Sequence, residues 1–130
     1  LAEFVNANVP LPQSLGVGYR RQELAIRGHG DLAGLLKSPQ RREWEEVTIH
    51  PIARPNYQPW AAESDAAILW LGDSFSNIYS AEAMGWGGAA GFVEQFSYFL
   101  GRTCDALRRN DQGAFATRQM LADELASGRD

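Results

Sequence analysis

One cysteine, Cys104, stands in the 130 residues of this chain. An intrachain disulfide is therefore impossible and no cysteine cluster can build a structural zinc site, so nothing covalent staples the fold. Cys104 reads as a small buried residue rather than a reactive thiol. Basic residues are also scarce: 12 Lys and Arg against 16 Asp and Glu leave a formal net charge of −4, which argues against the broad positive footprint that nucleic-acid binding needs. The pairs Arg41-Arg42 and Arg108-Arg109 are too short to reverse that and read as solvated. No apolar run approaches the ~18 residues of a membrane-spanning helix, and the first residues lack the basic-then-apolar pattern of a signal peptide. No His, Cys, Asp and Glu cluster has metal-ligand spacing, so neither a metal nor another cofactor is expected.

What is present suits one globular core, since 45% of the residues are hydrophobic and 22% charged, in a chain too short for two ordinary domains. Residues 1–130 read as one domain or part of one. Leu1-Ala2-Glu3-Phe4-Val5-Asn6, with no initiator methionine, resembles the last turns of a helix, which sets the expectation of a fragment of a longer protein. Pro10 and Pro12 halt that helix. From Gln22 to Arg27, Leu24 and Ile26 alternate with polar residues, as in a half-buried strand or an extended connector. Gly28-His29-Gly30 turns the chain, Asp31 is placed to cap a short helix through Leu36, and Ser38-Pro39 ends it. A second alternating stretch, Glu45 to Ile52, reads as a strand that Pro51 ends or confines to an edge. Arg54 to Trp60, with Pro55 and Pro59, reads as irregular loop.

Ala66-Ala67-Ile68-Leu69-Trp70-Leu71 differs from these. A continuous apolar run between polar neighbours suits a central strand buried on both faces of a parallel sheet. After a glycine-rich segment, Gly85 to Gly91, the residues Phe92, Val93, Phe96, Phe99 and Leu100 recur at helical spacing and predict one apolar face, closed by Gly101. Thr103 to Leu107 predicts another strand, leading into the loop Asn110-Asp111-Gln112-Gly113. A last helix, with Phe115, Met120, Leu121 and Leu125 as its buried side, ends near Gly128. The order strand, loop, helix, strand, loop, helix predicts an α/β layered fold with functional loops at the carboxyl ends of the strands.

The central strand delivers the chain into Gly72-Asp73-Ser74. A serine hydroxyl is a weak nucleophile that works only where it is exposed, aligned with a base and close to oxyanion donors. Ser74 lies just beyond a strand, after a glycine that permits close backbone approach, and the residues after it can open a helix or turn with free amides. An ordinary strand-to-helix turn, with Asp73 or Ser74 as cap, uses the same residue types.

Leu69-Trp70-Leu71-Gly72-Asp73-Ser74-Phe75-Ser76 resembles the nucleophile block of the SGNH hydrolase superfamily, and within it the periplasmic alginate O-acetyltransferase-like branch. Gly28-His29-Gly30-Asp31-Leu32-Ala33-Gly34-Leu35-Leu36 upstream and Arg108-Arg109-Asn110-Asp111-Gln112-Gly113-Ala114-Phe115-Ala116 downstream extend the resemblance over most of the chain. It implies an αβα sandwich with a mainly parallel sheet, incomplete here, in which a Ser-His-Asp triad moves acetyl groups onto or off polysaccharide hydroxyls, with Ser74 as nucleophile. The family's histidine and aspartate sit in an upstream Asp-x-His-Trp motif that this sequence does not contain, so the chain is expected to begin downstream of its base. His29 and His50 lack that pattern and read as structural or surface residues. By position after their strands, Gly88 and Asn110 match the glycine and asparagine that supply oxyanion donors in the superfamily, although Asn110 serves equally as a turn residue. Tyr79 and Trp86 are candidates for stacking on a sugar ring, against core or rim packing.

The resemblance further implies a polysaccharide acceptor, an acetyl donor delivered by a membrane acyltransferase, and an extracytoplasmic location. Related alternatives are an acetylesterase and a non-catalytic polysaccharide-binding module. An unfinished sheet edge also invites self-association.

Overall fold

The computed structural model describes residues 1–28 and 44–128. His29, the helix capped by Asp31, the Ser38-Pro39 stop and the Arg41-Arg42 pair lie outside the described residues.

Helix α1 (Ala2–Asn8) opens the chain and stops at Val9, whose backbone turns extended just before Pro10. Strands β1 (Arg20–Arg21) and β2 (Leu24–Gly28) run antiparallel to β4 (Ile52–Ala53) and β3 (Glu45–Ile49) respectively. Arg20 pairs with Ala53 and Leu24 with Ile49, so both pairings keep one register. They form a single antiparallel ribbon interrupted at Pro51, which has no N–H to give the ladder but still accepts a hydrogen bond from the Gln22 amide at 3.0 Å. Pro51 ends the strand as the sequence predicts, β3 stopping at Ile49, and a second short strand resumes beyond the proline at Ile52. The ribbon folds back over Arg54 to Trp60, where the Trp60 amide returns to the Ile52 carbonyl at 2.9 Å.

Strand β5 (Leu69–Gly72) pairs in parallel with β6 (Asp105–Arg108), in the register Leu69 to Asp105 and Gly72 to Arg108. Between them lie helix α2 (Ser74–Asn77), a 3-10 turn at Glu82–Met84 and helix α3 (Phe92–Leu100). Helix α4 (Gly113–Ala126) follows β6 and packs on both strands of the parallel pair. Side chains alternate across a strand. Trp70 and Ala106 accordingly face α3 and the core, where the Trp70 ring lies 4.7 Å from that of Phe92 and 6.0 Å from that of Phe96. Leu71, on the other face, borders a cavity with Ala114 and Thr117 of α4.

The result is an α/β chain with small sheets. The described residues form three two-stranded sheets, two antiparallel and one parallel, so a mainly parallel sheet is not what they show. The expectation that Ala66 to Leu71 is a central strand buried on both faces is corrected: the strand begins at Leu69, has β6 as its one partner among the described residues, and leaves Leu69 and Leu71 exposed.

The core collects Ile52, Trp60, Val93, Phe96, Leu100 and Cys104, with α1 laid against it through Ala2 and Val5. Helix α3 contributes half of that cluster and ends as its sequence predicts, on Gly101 at φ 70°, a left-handed position suited to glycine. Phe92 and Phe99, expected on the buried face, stand at its edges and are exposed. The positions buried instead include Glu94 and Ser97. In α4 the expected buried side is also corrected: Phe115 and Leu125 are exposed, and the helix docks through Ala116 and Thr117, because small residues in its first turns let the backbone approach the strand ends. Cys104 is fully buried, as expected, and burial raises its thiol pKa.

Tyr19 packs at the edge of the core. Burial, followed by the charge of Glu63, pushes its hydroxyl from 10.0 up to about 12. An unfolded chain releases this proton near pH 10 while the folded chain keeps it, so the unfolded state binds fewer protons and folding stability drops as pH rises. Unfolding midpoints measured between about pH 10 and 12 should fall more steeply for the natural chain than for Tyr19→Phe. In urea denaturation, Ile52→Ala, at a site 1% exposed, should cost about 3 kcal/mol. Phe99→Ala, at a site 63% exposed, should cost less than about 1 kcal/mol.

Candidate active site

Ser74 begins α2 immediately after β5, half-buried. The capping role open to either Asp73 or Ser74 is taken by Asp73: its carboxylate Oδ1 accepts the Phe75 amide at 3.0 Å and its carbonyl accepts the Ser76 amide at 3.1 Å. Ser74 Oγ is left with no hydrogen-bond partner among the described residues, so its hydroxyl is uncommitted. The same capping removes the Phe75 and Ser76 amides from the supply of oxyanion donors.

Gly72 is required here by contact rather than by φ. A Cβ on Gly72 would lie 2.2 Å from Ser76 Oγ, 2.7 Å from Ser76 Cβ and 3.3 Å from Arg108 Cγ. The absence of a side chain is what lets α2 fold back against the end of its own strand. The Gly72 carbonyl accepts a hydrogen bond from Thr117 Oγ1 of α4 at 2.6 Å. A small cavity of about 190 Å³ opens beside the turn, lined by Gly72, Asp73 and Ser76 on one side and Ala114, Thr117 and Arg118 on the other.

Of the other sequence candidates, Asn110 is brought to the turn. Its Oδ1 accepts from Asn77 Nδ2 at 2.7 Å, and its Nδ2 lies 3.6 Å from Met84 Sδ. The loop after β6 is thereby tied to the last residue of α2. Gly88 lines a separate depression of about 420 Å³ with Ile52, Trp60, Ser80 and Glu82, and a Cβ on it would meet the Glu82 side chain at 2.9 Å. Tyr79 borders a shallow groove with Arg21, His50 and Gln95. Trp86 is buried, its ring 2.9 Å from where a Gly28 Cβ would stand, which occupies the indole in packing against β2. His50 Nε2 lies 3.7 Å from Glu23 Oε2, and its carbonyl accepts from Gln95 Nε2 at 2.6 Å; no histidine contacts Ser74 Oγ among the described residues. Nor, among those residues, do three His, Cys, Asp or Glu side chains converge to hold a metal ion.

Behind the turn lies a feature that periodicity did not reveal. Glu94, its side chain 1% exposed, receives Arg108 Nη1 on Oε1 at 3.1 Å and Ser80 Oγ on Oε2 at 2.8 Å. Ser80 Oγ is also 2.9 Å from the Ser76 carbonyl. Arg108 is thus corrected from solvated to an internal partner, its side chain only 18% exposed. Arg109 does face solvent, paired with Asp111 at 3.0 Å. The one signal for the buried pair in the sequence is Glu94 itself, a carboxylate inside the apolar helical run.

No family model matches the chain, and no curated protein matches it. A solved structure, the O-acetyltransferase domain of Pseudomonas putida AlgJ, is similar to it in fold. The TM-score is 0.67 and the identity 11%, over 98% of this chain. The chain spans 42% of the length of that neighbour. At this identity the likeness is one of fold.

The tight contact at Gly72 makes a prediction about stability. Gly72→Ala forces its methyl into Ser76 and should cost about 1–3 kcal/mol. Thermal unfolding should show the loss, and an unchanged melting temperature would mean that α2 does not close on the strand as described.

Proposed function

We propose that the protein of which this chain is a part is an SGNH-type carbohydrate O-acetyltransferase of the alginate O-acetyltransferase-like branch, working through an acetyl-Ser74 intermediate. The observation that carries the reading is the uncommitted Ser74 hydroxyl on a glycine-supported turn beyond a parallel strand, in a fold like that of an O-acetyltransferase domain.

In the first half-reaction a histidine base takes the Ser74 proton, Oγ attacks the acetyl carbonyl, and the base returns the proton to the departing donor. In the second, the base takes the proton of a sugar hydroxyl, whose oxygen attacks the acetyl-serine, and returns that proton to the departing Ser74 Oγ. We assign the Ser74 amide and Asn110 Nδ2 as donors to the developing oxyanion, with Gly88 a further candidate. Tyr79 offers an exposed ring for a sugar. Because the chain spans 42% of its structural neighbour, we assign the base to a part of the enzyme that this chain does not span, and the acetyl donor and extracytoplasmic setting to the same proposal. Water in place of the sugar hydroxyl would make the enzyme an acetylesterase.

A second reading has its own observation. With no histidine on Ser74 among the described residues, a binding module that keeps the turn without the chemistry has the same local geometry. Full-length protein separates the two. Acetyl-ester turnover, with an acetyl adduct found on Ser74 by mass spectrometry, is expected of the enzyme, and Ser74→Ala should reduce turnover by on the order of a thousandfold or more. Normal turnover by Ser74→Ala would end the nucleophile assignment.

A further inference from the structure

We propose that Ser80, Glu94 and Arg108 form a positioning relay that clamps the nucleophile turn two residues before and two residues after Ser74; the inference rests on the reading of Ser74 as nucleophile. On the far side, the Ser76 carbonyl accepts from Ser80 Oγ at 2.9 Å. The same hydroxyl lies 2.8 Å from Glu94 Oε2, so its one proton is shared between two acceptors. Glu94 Oε1 accepts from Arg108 Nη1 at 3.1 Å. On the near side, Arg108 is the register partner of Gly72 in the parallel pair, and its Cγ would lie 3.3 Å from a Gly72 Cβ. The Gly72 carbonyl is held in turn by Thr117 at 2.6 Å.

The relay therefore runs from Ser76 through Ser80, Glu94 and Arg108 back to Gly72. Space around it is tight. A Cβ on Gly91 would lie 2.0 Å from Ser80 Oγ and 3.0 Å from Glu94 Oε2, so neither side chain has room to shift toward the start of α3. Glu94 is buried beneath the turn, and no relay member is within hydrogen-bond distance of Ser74 Oγ; each acts by placing the backbone that carries it. An ångström of misplacement at a reacting atom can cost on the order of a hundredfold in rate, and a loosened rather than broken turn should cost about tenfold.

Ser97 supplies the control. It lies on the same helix, is fully buried, and donates to the Val93 carbonyl at 2.8 Å; Ser97→Ala removes a comparable buried hydroxyl that has no connection to α2. In full-length protein hydrolysing para-nitrophenyl acetate, Ser80→Ala should lower kcat about tenfold with KM unchanged and slow labelling of Ser74 by a fluorophosphonate by the same factor. Glu94→Gln, which keeps the shape of the side chain and loosens Arg108, should move both readouts in the same direction. Ser97→Ala should leave kcat within about twofold at a similar loss of melting temperature. Equal kcat losses in Ser80→Ala and Ser97→Ala, or natural kcat and labelling in Ser80→Ala, would overturn the relay. An inactive Ser74→Ala beside either result confines the failure to the relay, whereas an active Ser74→Ala removes the nucleophile reading and the relay with it.

Discussion

The buried ion pair between Glu94 and Arg108 is the constraint around which the second half of the chain is arranged. A carboxylate 1% exposed carries a desolvation penalty of several kcal/mol unless both oxygens are answered. Here one takes a guanidinium N–H and the other a serine hydroxyl. Meeting that demand fixes where α3 begins relative to the end of β6, and it sets two glycines. Gly91 must leave space for Ser80 and Glu94, and Gly72 must leave space for Ser76 and for the stem of Arg108. Removing one partner of such a pair strands the other charge, so the arrangement holds as a unit.

The apolar core and this polar cluster occupy the same face of the parallel strands. Along β6, Ala106 turns toward α3 and the core, and Arg108, two residues on, points to the same side. Helix α3 answers in kind: Val93, Phe96 and Leu100 enter the core while Glu94, in its first turn, meets Arg108. One helix thus supplies both the hydrophobic contact that holds the fold and the charge that organises the strand ends. Thr117 closes the opposite side, where α4 meets the Gly72 carbonyl.

Much of this order was legible in the residues. Alternation marked two extended stretches, whose antiparallel pairing only the fold supplies; Gly101 marked the end of α3, and the apolar run into Gly72 placed a strand before Ser74. The depth of burial was not legible, because an apolar run reads alike whether its strand has two neighbours or one. Leu69 and Leu71 read as interior residues and stand exposed. The Glu94–Arg108 pair was hidden for a related reason. A charged residue is read as solvated until something places its opposite charge beside it, and the partners lie on separate elements. The place of Asn110 after a strand is legible, whereas the contact that holds it, with Asn77, depends on the fold.

The Gly72-Asp73-Ser74 turn also shows why a short motif cannot be judged by itself. Four residues make a single helical turn, and isolated turns of that length do not persist in water, because nucleation costs more than one hydrogen bond returns. What keeps α2 in place comes from outside it: the Asp73 carboxylate at its start, Asn110 at its end, Ser80 on the Ser76 carbonyl, and Thr117 on the Gly72 carbonyl. These partners come from the preceding residue, the loop after β6, the segment after α2 and the last helix. The position of Ser74 is therefore a property of the packed fold, set only when the helices on either side of its strand are in place.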